Sequence, residues 1–560
     1  MAFWDWVVIA VYFGLIAGIA WRASFLQQTS KDFFLASRNI GFFAIGGSLF
    51  ASNIGSEHIV GVSGQGASTG MAMAHYELHA WIMVLLAWVF VPFYYRAGVY
   101  TIPEFLERRF NARARWILSC VSLLAYVFTK VSVTVYAGAL VFQTLLPDTF
   151  GTPQNAFWIG AMATVIVTGI YTVAGGLRAV LFTDTAQAFV LLVGSLAITY
   201  FGLRELGGWG ELQALASANA DQFALWRPLD DPEFPWLGIL IASPIVGIWY
   251  WCTDQYIVQR TLAGRDLATA RRGALWGGVL KLFPVLLFLI PGMVGWAMHQ
   301  EGMLEIPTRM IGGEDVIDGD QVFPTMVMTL LPEGLRGLVV GGLLAALMSS
   351  LSSVFNSTAA LFTRDVYEKI SPGRSERHLV RVGRIATSVV VVLGLLWIPV
   401  MPRVADLGLY HYLQSVQSYL APPITAVFLL GLFWSRINAQ GAVWGLSVGF
   451  VLGMAKLMVQ ALVGEGQVFE GPAFLAAFGD FNFLYYSGVL FAISIAVIAG
   501  VSLATPPPDP AQISGLTYGS RTEEQIRENR ESRGAMDYVL TAIVLGGVVA
   551  AYLYFSFWLY

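Results

Sequence analysis

The chain has 560 residues, of which 56% are hydrophobic, 14% aromatic and 12% charged, and its mean hydropathy is +0.65. This composition excludes most soluble proteins and all disordered chains, and the formal net charge of -4 gives no indication of a nucleic-acid partner. The two cysteines, Cys120 and Cys252, lie in apolar segments and predict neither a disulfide framework nor a zinc site. We therefore expect a polytopic membrane protein that is not an enzyme.

Apolar windows recur along nearly the whole chain, and at about 20 residues each is long enough to cross a hydrocarbon core of roughly 30 Å. The longest polar stretch, residues 505–533, is too short and too rich in Pro, Gly and charge to fold on its own. The sequence therefore predicts an all-α membrane protein. Its helices, about fourteen in number, are predicted at residues 4–21, 41–67, 72–95, 116–145, 155–175, 180–203, 236–258, 273–299, 334–362, 383–400, 408–433, 439–462, 482–504 and 538–559.

The positions of Lys and Arg predict how these helices are oriented, because positively charged loops stay on the cytoplasmic side. If the N-terminus is outside, most of the 32 basic residues fall in cytoplasmic loops. We expect both termini on the outer side of a plasma membrane, and the lack of a long targeting segment favours a bacterial inner membrane. The outer loops then contain Arg204, Arg227, Arg309, Arg336 and Arg403.

Ionisable side chains within the predicted helices are candidate functional groups, because a charge inside a membrane is costly unless it faces a partner or a cavity. Glu77 and Lys281 are expected to pair, since a lone buried carboxylate would lose its charge. Asp184 and Asp254 lie near predicted cytoplasmic ends, where helix capping is an alternative explanation. The full set is Glu57, His58, Glu77, Lys130, Asp184, Asp254, Lys281 and Lys456.

Two of the predicted helices are interrupted. Polar and glycine residues break the apolar run in residues 49–66, and Pro244 and Gly247 fall in the middle of residues 241–251. Unwound backbone at membrane depth is tolerated where it lines a cavity, and its free carbonyls can bind cations. The alternative is that the glycines simply allow close helix packing.

These interruptions begin the second and the seventh predicted helices. Because the two helices stand five apart, an odd number, the two sets of five must face opposite ways across the membrane, as in inverted repeats. The predicted organisation is an extra helix with a cytoplasmic loop at 1–40, a first repeat at 41–203, an outer loop at 204–235, a second repeat at 236–433, and three C-terminal helices at 434–560 with a polar loop at 505–537.

A cluster of hydroxyl groups lies in residues 345–353. Ser349, Ser352 and Ser353 share one face of a helix by their spacing, and hard oxygen ligands suit a small cation such as sodium. Serines in membrane helices also commonly bond to their own backbone, which is the alternative.

Six strings in the chain resemble those of the sodium/solute symporter family, particularly its sodium/glucose (galactose) cotransporters, and the resemblance covers about residues 30–440. The resemblance implies a LeuT-like core of five plus five inverted helices, with one helix before it and three after it. The strings are SNIGSEHIVGVSGQG, AGVYTIPEFLERRF, YTVAGGLRAVLFTDTAQ, YWCTDQYIVQRTLA, ALMSSLSSVFNST and APPITAVFLLGLFW.

The resemblance also implies a sodium site between the first broken helix and the eighth core helix. By motif position, its ligands are the backbone carbonyls of Ala51, Ile54 and Ala346 and the hydroxyls of Ser349 and Ser350. Some members of the family bind a second sodium ion. The matching residues here are Asp184, Ser349, Ser352 and Ser353, so one or two sodium ions are expected.

A sugar pocket carries over from the family less completely. Three positions depart from the sugar-transporting pattern: Gly247, where relatives have an amide or hydroxyl side chain, Ala80, and Gln417, where Thr is common. Asn53 is expected to brace the unwound segment and to hydrogen-bond the gating residue Tyr250. The substrate-binding residues implied by the resemblance are His58, Glu77, Tyr250, Trp251, Lys281, Gln414 and Asn53.

Together these features predict sodium-driven uptake of a glucose- or galactose-like monosaccharide by alternating access. The expected partners are a sugar or polyol, sodium and the lipid bilayer, with no nucleic acid and no obligate protein partner. The alternatives are a sodium symporter for another polar solute, such as myo-inositol or an acidic sugar, and a sensor or channel that does not transport.

Overall fold

A computed structural model describes residues 1–24, 35–146, 150–311, 314–397, 409–463 and 471–560. Three predicted features lie outside the described residues: Arg403, the end of window 383–400 and the start of window 408–433. The side chain of Glu57 is likewise outside the description.

The first half of the described chain is helical, and several helices begin at a capping side chain. Thr101, Asn111 and Thr152 each accept a hydrogen bond from a backbone N–H in the first turn of the helix that follows. The helices are α1 (Phe3–Ser24), α2 (Phe42–Asn53), α3 (Ser56–Thr69), α4 (Ala74–Glu77), α5 (Ala80–Leu85), α6 (Val91–Ala97), α7 (Ile102–Arg109), α8 (Ala112–Ala125), α9 (Ser132–Leu145), α10 (Pro153–Leu206), α11 (Trp209–Ala218) and α12 (Ala220–Phe223).

The second half continues in the same way, with Asp266 and Asn438 as capping residues. The helices are α13 (Trp236–Ile248), α14 (Gln255–Leu262), α15 (Leu267–Leu280), α16 (Ile290–Gln300), α17 (Gly319–Leu330), α18 (Leu335–Leu361), α19 (Glu368–Ile370), α20 (Glu376–Trp397), α21 (Leu409–Phe433), α22 (Ala439–Leu462), α23 (Ala473–Asp480), α24 (Phe483–Ala504), α25 (Pro510–Ile513), α26 (Glu523–Glu531) and α27 (Ala535–Phe557). Five π-helical turns connect some of them, at Leu86–Phe90, Tyr126–Val131, Trp249–Thr253, Val285–Leu289 and Phe362–Tyr367.

Among the described residues, eleven helices are long and apolar enough to cross a membrane, and Phe3–Ile19 and Phe42–Asn53 are shorter apolar helices. All fourteen predicted windows lie on helices where the structure describes them, which confirms the all-α membrane class. The number fourteen itself remains a prediction.

Helix α10 joins two predicted windows, 155–175 and 180–203, into one run of 54 helical residues. Its C-terminal part nevertheless packs on α17, and its N-terminal part packs on α9, which bonds to α17. A Cβ at Gly202 would lie 2.9 Å from Met326 of α17. Gly160 contacts Phe142 of α9. Two residues further along α9, the hydroxyl of Thr144 donates to Gln321 of α17 at 2.5 Å. A straight helix rises about 1.5 Å per residue and could not bring Gly160 and Gly202 together. The run therefore turns back on itself, as two successive crossings require.

The first predicted interruption is present, whereas the second lies further along the chain than predicted. Helix α2 ends at Asn53 and α3 begins at Ser56, as expected from residues 49–66. The second interruption was placed wrongly, since α13 continues through Pro244 and Gly247, and the chain leaves helical geometry only at Asp254, after the π turn Trp249–Thr253. Gly247 lies within α13, where the absence of a side chain lets the ring of His79 pack closely against the helix.

Two of the connecting segments contain short helices or a small sheet. Residues 204–235, predicted as a loop, contain the short helices α11 and α12. Strands β1 (Thr308–Ile311) and β2 (Glu314–Ile317) form an antiparallel pair that the sequence analysis did not predict.

Candidate functional site

A cavity opens where the two interrupted helices approach α21 and the π turn Tyr126–Val131. Six of the seven predicted substrate-binding residues line it, namely Asn53, His58, Tyr250, Trp251, Lys281 and Gln414. The other lining residues are Tyr76, His79, Lys130, Val133, Thr134, Val246, Gly247, Tyr256, Ser350, Val354, Tyr410, Leu413 and Gln417.

Glu77, the seventh predicted residue, is fully buried and holds the residues that face the cavity. Lys281 donates from Nζ to Glu77 Oε2 at 2.7 Å, which confirms the expected pair. The other carboxylate oxygen, Oε1, lies 3.1 Å from His58 Nε2 and accepts from the hydroxyl of Tyr410 at 3.0 Å. Because a buried carboxylate needs a charged partner and full hydrogen bonding, Glu77 fixes the positions of these three side chains.

Tyr250 stands beside the first interruption. Its hydroxyl accepts from Asn53 Nδ2 at 3.3 Å, which confirms the hydrogen bond expected between these two residues. Its ring meets those of Trp251 and Tyr256 edge to face, at centroid distances of 5.1 and 6.2 Å. These contacts hold the ring at the wall of the cavity.

Lys130 and Asp254 form an ion pair that the sequence analysis did not predict. Lys130 Nζ lies 3.0 Å from Asp254 Oδ2, and 4.0 and 4.3 Å from the ring centroids of Tyr256 and Tyr250. Asp254 also accepts from the hydroxyl of Tyr126 and, through Oδ1, from the backbone N–H of Tyr256, so it is the capping residue of α14. Both charges were recognised in the sequence, but nothing there indicated that they meet.

The residues expected to bind the first sodium ion are brought together and buried. Because α2 ends at Asn53, the carbonyls of its last turn lack partners within that helix. Ser350 of α18 donates to the carbonyl of Ser52 at 3.5 Å, within the same turn as the predicted carbonyls. The predicted ligands Ala51, Ile54, Ala346, Ser349 and Ser350 are each at most 1% exposed.

Asp184 lies next to this site, within α10, so it does not cap a helix end. Its Oδ1 accepts from Ser349 at 2.6 Å. Its Oδ2 accepts from Ser48 at 2.7 Å and from Ser52 at 3.0 Å, two hydroxyls that the sequence analysis did not identify. The Ser352 hydroxyl instead donates to the carbonyl of Ser349 at 2.9 Å, the own-backbone alternative considered for these serines.

Arg260 was also missed, although it lies in one of the quoted strings. Its Nη2 is 3.6 Å from Asp184 Oδ2, its Nε donates to Ser48 at 3.0 Å, and it donates to Ser353. The hydroxyl of Ser353 is 3.1 Å from that of Ser52. A guanidinium therefore already offsets part of the Asp184 charge among the residues expected to bind a second sodium ion.

Two remaining residues of the sequence analysis do not line the cavity. Lys456 donates to the carbonyl of Gly479 and lies among aromatic rings, a structural position. Ala80 packs with Val544 and Val548 in a buried cluster, so its departure from the family pattern does not alter the cavity wall.

A buried polar cavity beside two interrupted membrane helices defines a secondary-transporter type of site. Residues 33–449 match the model of the sodium:solute symporter family. The chain is 37% identical to sodium/glucose cotransporter 1 of Oryctolagus cuniculus over 550 residues, covering 93% of this chain and 82% of that one. It is also 37% identical to sodium/myo-inositol cotransporter 2 of the same species over 547 residues, with 94% and 80% covered.

The chain belongs to the sodium:solute symporter family. Among solved structures, it is similar to a sodium-coupled sialic acid symporter, with a TM-score of 0.74, 22% identity, and 91% of this chain and 99% of that chain covered. That likeness shows the fold, which is the LeuT-like inverted-repeat architecture that the sequence predicted.

Proposed function

We propose that this symporter carries a neutral monosaccharide, of the glucose or galactose kind, into the cell together with sodium. The observation that carries the proposal is the chemistry of the cavity wall. Lys281 offers N–H donors and His58 its second ring nitrogen, while Trp251 and Tyr250 offer aromatic surface. Polar groups of this kind can bind adjacent sugar hydroxyls, while an aromatic face covers the C–H surface of the ring.

Unsatisfied acceptors on the same wall support a substrate rich in hydroxyl groups. Within the described part of the chain, Asn53 Oδ1 and Gln414 Oε1 are buried without a hydrogen-bond partner. Buried acceptors are costly unless a donor reaches them, and a hydroxyl is such a donor whereas a carboxylate is not. Myo-inositol is the second candidate, because it is also a ring of hydroxyls and a similar cotransporter is named for it. An acidic sugar fits less well.

Sodium coupling follows from the position of the cation site. The carbonyls of Ala51 and Ile54 and the hydroxyl of Ser350 would hold sodium at the end of α2, and the same interruption carries Asn53 and His58 to the cavity. An ion that orders this segment favours the conformation that binds substrate, and by linkage the substrate strengthens ion binding. Alternating access then exposes both to the cytoplasm.

A second sodium ion at Asp184 is part of the proposal. It would use Ser349, Ser352 and Ser353, and Arg260 would move away from Asp184 when the ion enters. A membrane potential of 100 mV supplies about 2.3 kcal/mol per charge, or about 4.6 kcal/mol for two. Since each 1.4 kcal/mol is a factor of ten, two ions would support roughly a thousandfold accumulation.

The finer topology is also proposed. We place both termini outside, in a plasma membrane of the bacterial inner-membrane kind, with inverted repeats at 41–203 and 236–433. The distribution of Lys and Arg supports this orientation. The protein would act as a transporter without enzymatic activity and without an obligate protein partner.

Uptake into proteoliposomes tests the function. Labelled glucose and galactose are supplied with an inward sodium gradient, an equal potassium gradient serves as the control, and myo-inositol is added as a competitor. We expect accumulation with sodium alone and competition among hexoses. Equal uptake in the two gradients, or competition by myo-inositol without any by hexoses, would contradict the proposal.

A further inference from the structure

We propose that His79 is a specificity-determining residue of the cavity, where its ring occupies the space that Gly247 leaves and its Nδ1 accepts a hydrogen bond from one hydroxyl of the substrate. The inference rests on the proposed function, since it names a contact for that same substrate. His79 was not among the residues derived from the sequence, and it lines the cavity while being only 5% exposed.

The space beside Gly247 is filled by the His79 ring. A Cβ at position 247 would lie 2.9 Å from His79 Cε1 and 3.0 Å from His79 Nδ1. It would also lie 2.3 Å from Ile82 Cδ1, closer than real Cβ contacts occur. A larger residue at 247 and the imidazole in its present position therefore exclude each other. The imidazole takes the place of the polar side chain that is missing at 247.

The hydrogen bonds of Ser243 assign the tautomer of His79. The hydroxyl of Ser243 donates to the carbonyl of His75 at 3.2 Å, and His79 Nε2 lies 2.7 Å from the same hydroxyl oxygen. A hydroxyl has one hydrogen, and a carbonyl can only accept, so Ser243 accepts from Nε2–H. In a neutral imidazole the other nitrogen then carries no hydrogen. Nδ1 is therefore an acceptor, and it is the nitrogen nearest to Gly247.

The ring is fixed in this orientation before any substrate arrives. Tyr76, which also lines the cavity, meets it edge to face at a centroid distance of 5.7 Å, and Ser243 holds its far side. A fixed acceptor costs little ordering entropy on binding and discriminates sharply between a group that donates and one that does not. The expected ligand group is a hydroxyl, since an ether oxygen or a fluorine cannot donate.

Analogues of the transported sugar test this contact in proteoliposomes. For each ring position, the deoxy and the fluoro analogue are compared with the parent sugar by competition. We expect one position at which both analogues bind about tenfold more weakly than the parent, because fluorine accepts but does not donate. Fluoro analogues that bind as well as the parent at every position would overturn the proposal.

Two variants distinguish the role of Nδ1 of His79 from that of Nε2. His79→Gln places its amide near Nε2 and loses the Nδ1 position, so it should lose the discrimination at that one ring position and raise KM about tenfold, with the sodium dependence unchanged. His79→Asn keeps a polar atom near Nδ1 and should retain most of the discrimination. His411→Gln is the matched control, because His411 is a buried histidine that packs against Phe483 and does not belong to the cavity lining given above. An analogue profile in His79→Gln identical to that of the unaltered protein would refute the role of His79.

A measurement without transport keeps this inference separate from the proposed function. In protein with ¹⁵N-labelled imidazoles, the resonances that disappear in His79→Gln belong to His79. We expect an unprotonated shift for Nδ1 and a protonated shift for Nε2. A protonated Nδ1 would overturn the inference even if sugar transport were found. Absence of sodium-driven uptake for every hexose and polyol, together with the expected tautomer, would instead refute the proposed function.

Discussion

Glu77 and Asp184 are both fully buried carboxylates, but their partners differ. Glu77 has a lysine at 2.7 Å, together with His58 and Tyr410. Asp184 is held mainly by serine hydroxyls, and its nearest cationic atom, on Arg260, is 3.6 Å away. The first carboxylate is already neutralised by a tight ion pair and therefore positions side chains. The charge of the second carboxylate is only partly offset, by a guanidinium at 3.6 Å, which suits a cation that enters and leaves.

The largest effect is expected from separating Glu77 from Lys281. Lys281→Ala leaves the carboxylate buried and unpaired, so we expect a loss of about 3–5 kcal/mol in stability and no measurable substrate uptake. Thermal unfolding in detergent and uptake measure the two effects. The double variant Lys281→Met with Glu77→Gln should recover most of the stability without recovering uptake. If Lys281→Ala were as stable as the unaltered protein, a positioning role for Glu77 would be contradicted.

Ser350→Ala tests the cation site itself. Removing one hydroxyl ligand should raise the sodium concentration for half-maximal uptake at least about tenfold, with folding nearly intact. Sodium titration of uptake measures the change. Ser357→Ala, in the same helix, is the control and should leave the titration unchanged, because the Ser357 hydroxyl bonds to Gln259 and to the backbone carbonyl of Ser353, neither of which is a proposed ligand of sodium. Equal sodium dependence in the two variants would remove Ser350 from the ligand set.

Asp184→Asn tests whether the carboxylate of Asp184 receives a sodium ion. If Asp184 receives the second sodium ion, the charge moved per substrate molecule should fall from about two to about one, while substrate specificity is preserved. Electrical recording combined with tracer uptake gives this ratio. A ratio that is the same before and after the substitution would show that Arg260, and not sodium, is the permanent partner of Asp184.

The smallest effect is expected at the wall of the cavity. Tyr250→Phe removes one neutral hydrogen bond, at 3.3 Å from Asn53, while keeping the aromatic contacts. Such a bond contributes about 0.5–1.5 kcal/mol, so we expect a change in uptake of about threefold to tenfold. Tyr250→Ala, which also removes the ring, should reduce uptake further. If the two substitutions reduced uptake equally, the contribution of Tyr250 to uptake would come from its hydroxyl alone.

Local sequence patterns predicted most of the helices and much of the cavity wall. Apolar windows gave the helices, and the polar run before His58 gave the interruption after Asn53 in its correct place. Motif resemblance indicated the residues of the cavity wall. The pair of Glu77 and Lys281 was predictable because both charges lie deep within membrane helices and each requires a partner.

Contacts between distant segments were harder to predict. Lys130 and Asp254 pair across 124 residues, and either charge could have been satisfied elsewhere. The interruption near Pro244 was misplaced, because a proline in a membrane helix does not by itself end it when neighbouring groups satisfy the backbone. His79 was missed for a related reason, since its place in the cavity depends on the space that a glycine provides on another helix.

The hydroxyl of Tyr256, in the first turn of α14, donates to the carbonyl of Ser52 in the last turn of α2. This bond joins the two interrupted helices at the points where each lacks regular backbone pairing. If either helix end moves, this hydrogen bond either breaks or draws the other helix end with it. Events at the carbonyls of α2 are therefore mechanically connected to the ring of Tyr250 in two ways. One is the phenol of Tyr256, whose ring meets that of Tyr250 edge to face, and the other is the Asn53–Tyr250 hydrogen bond.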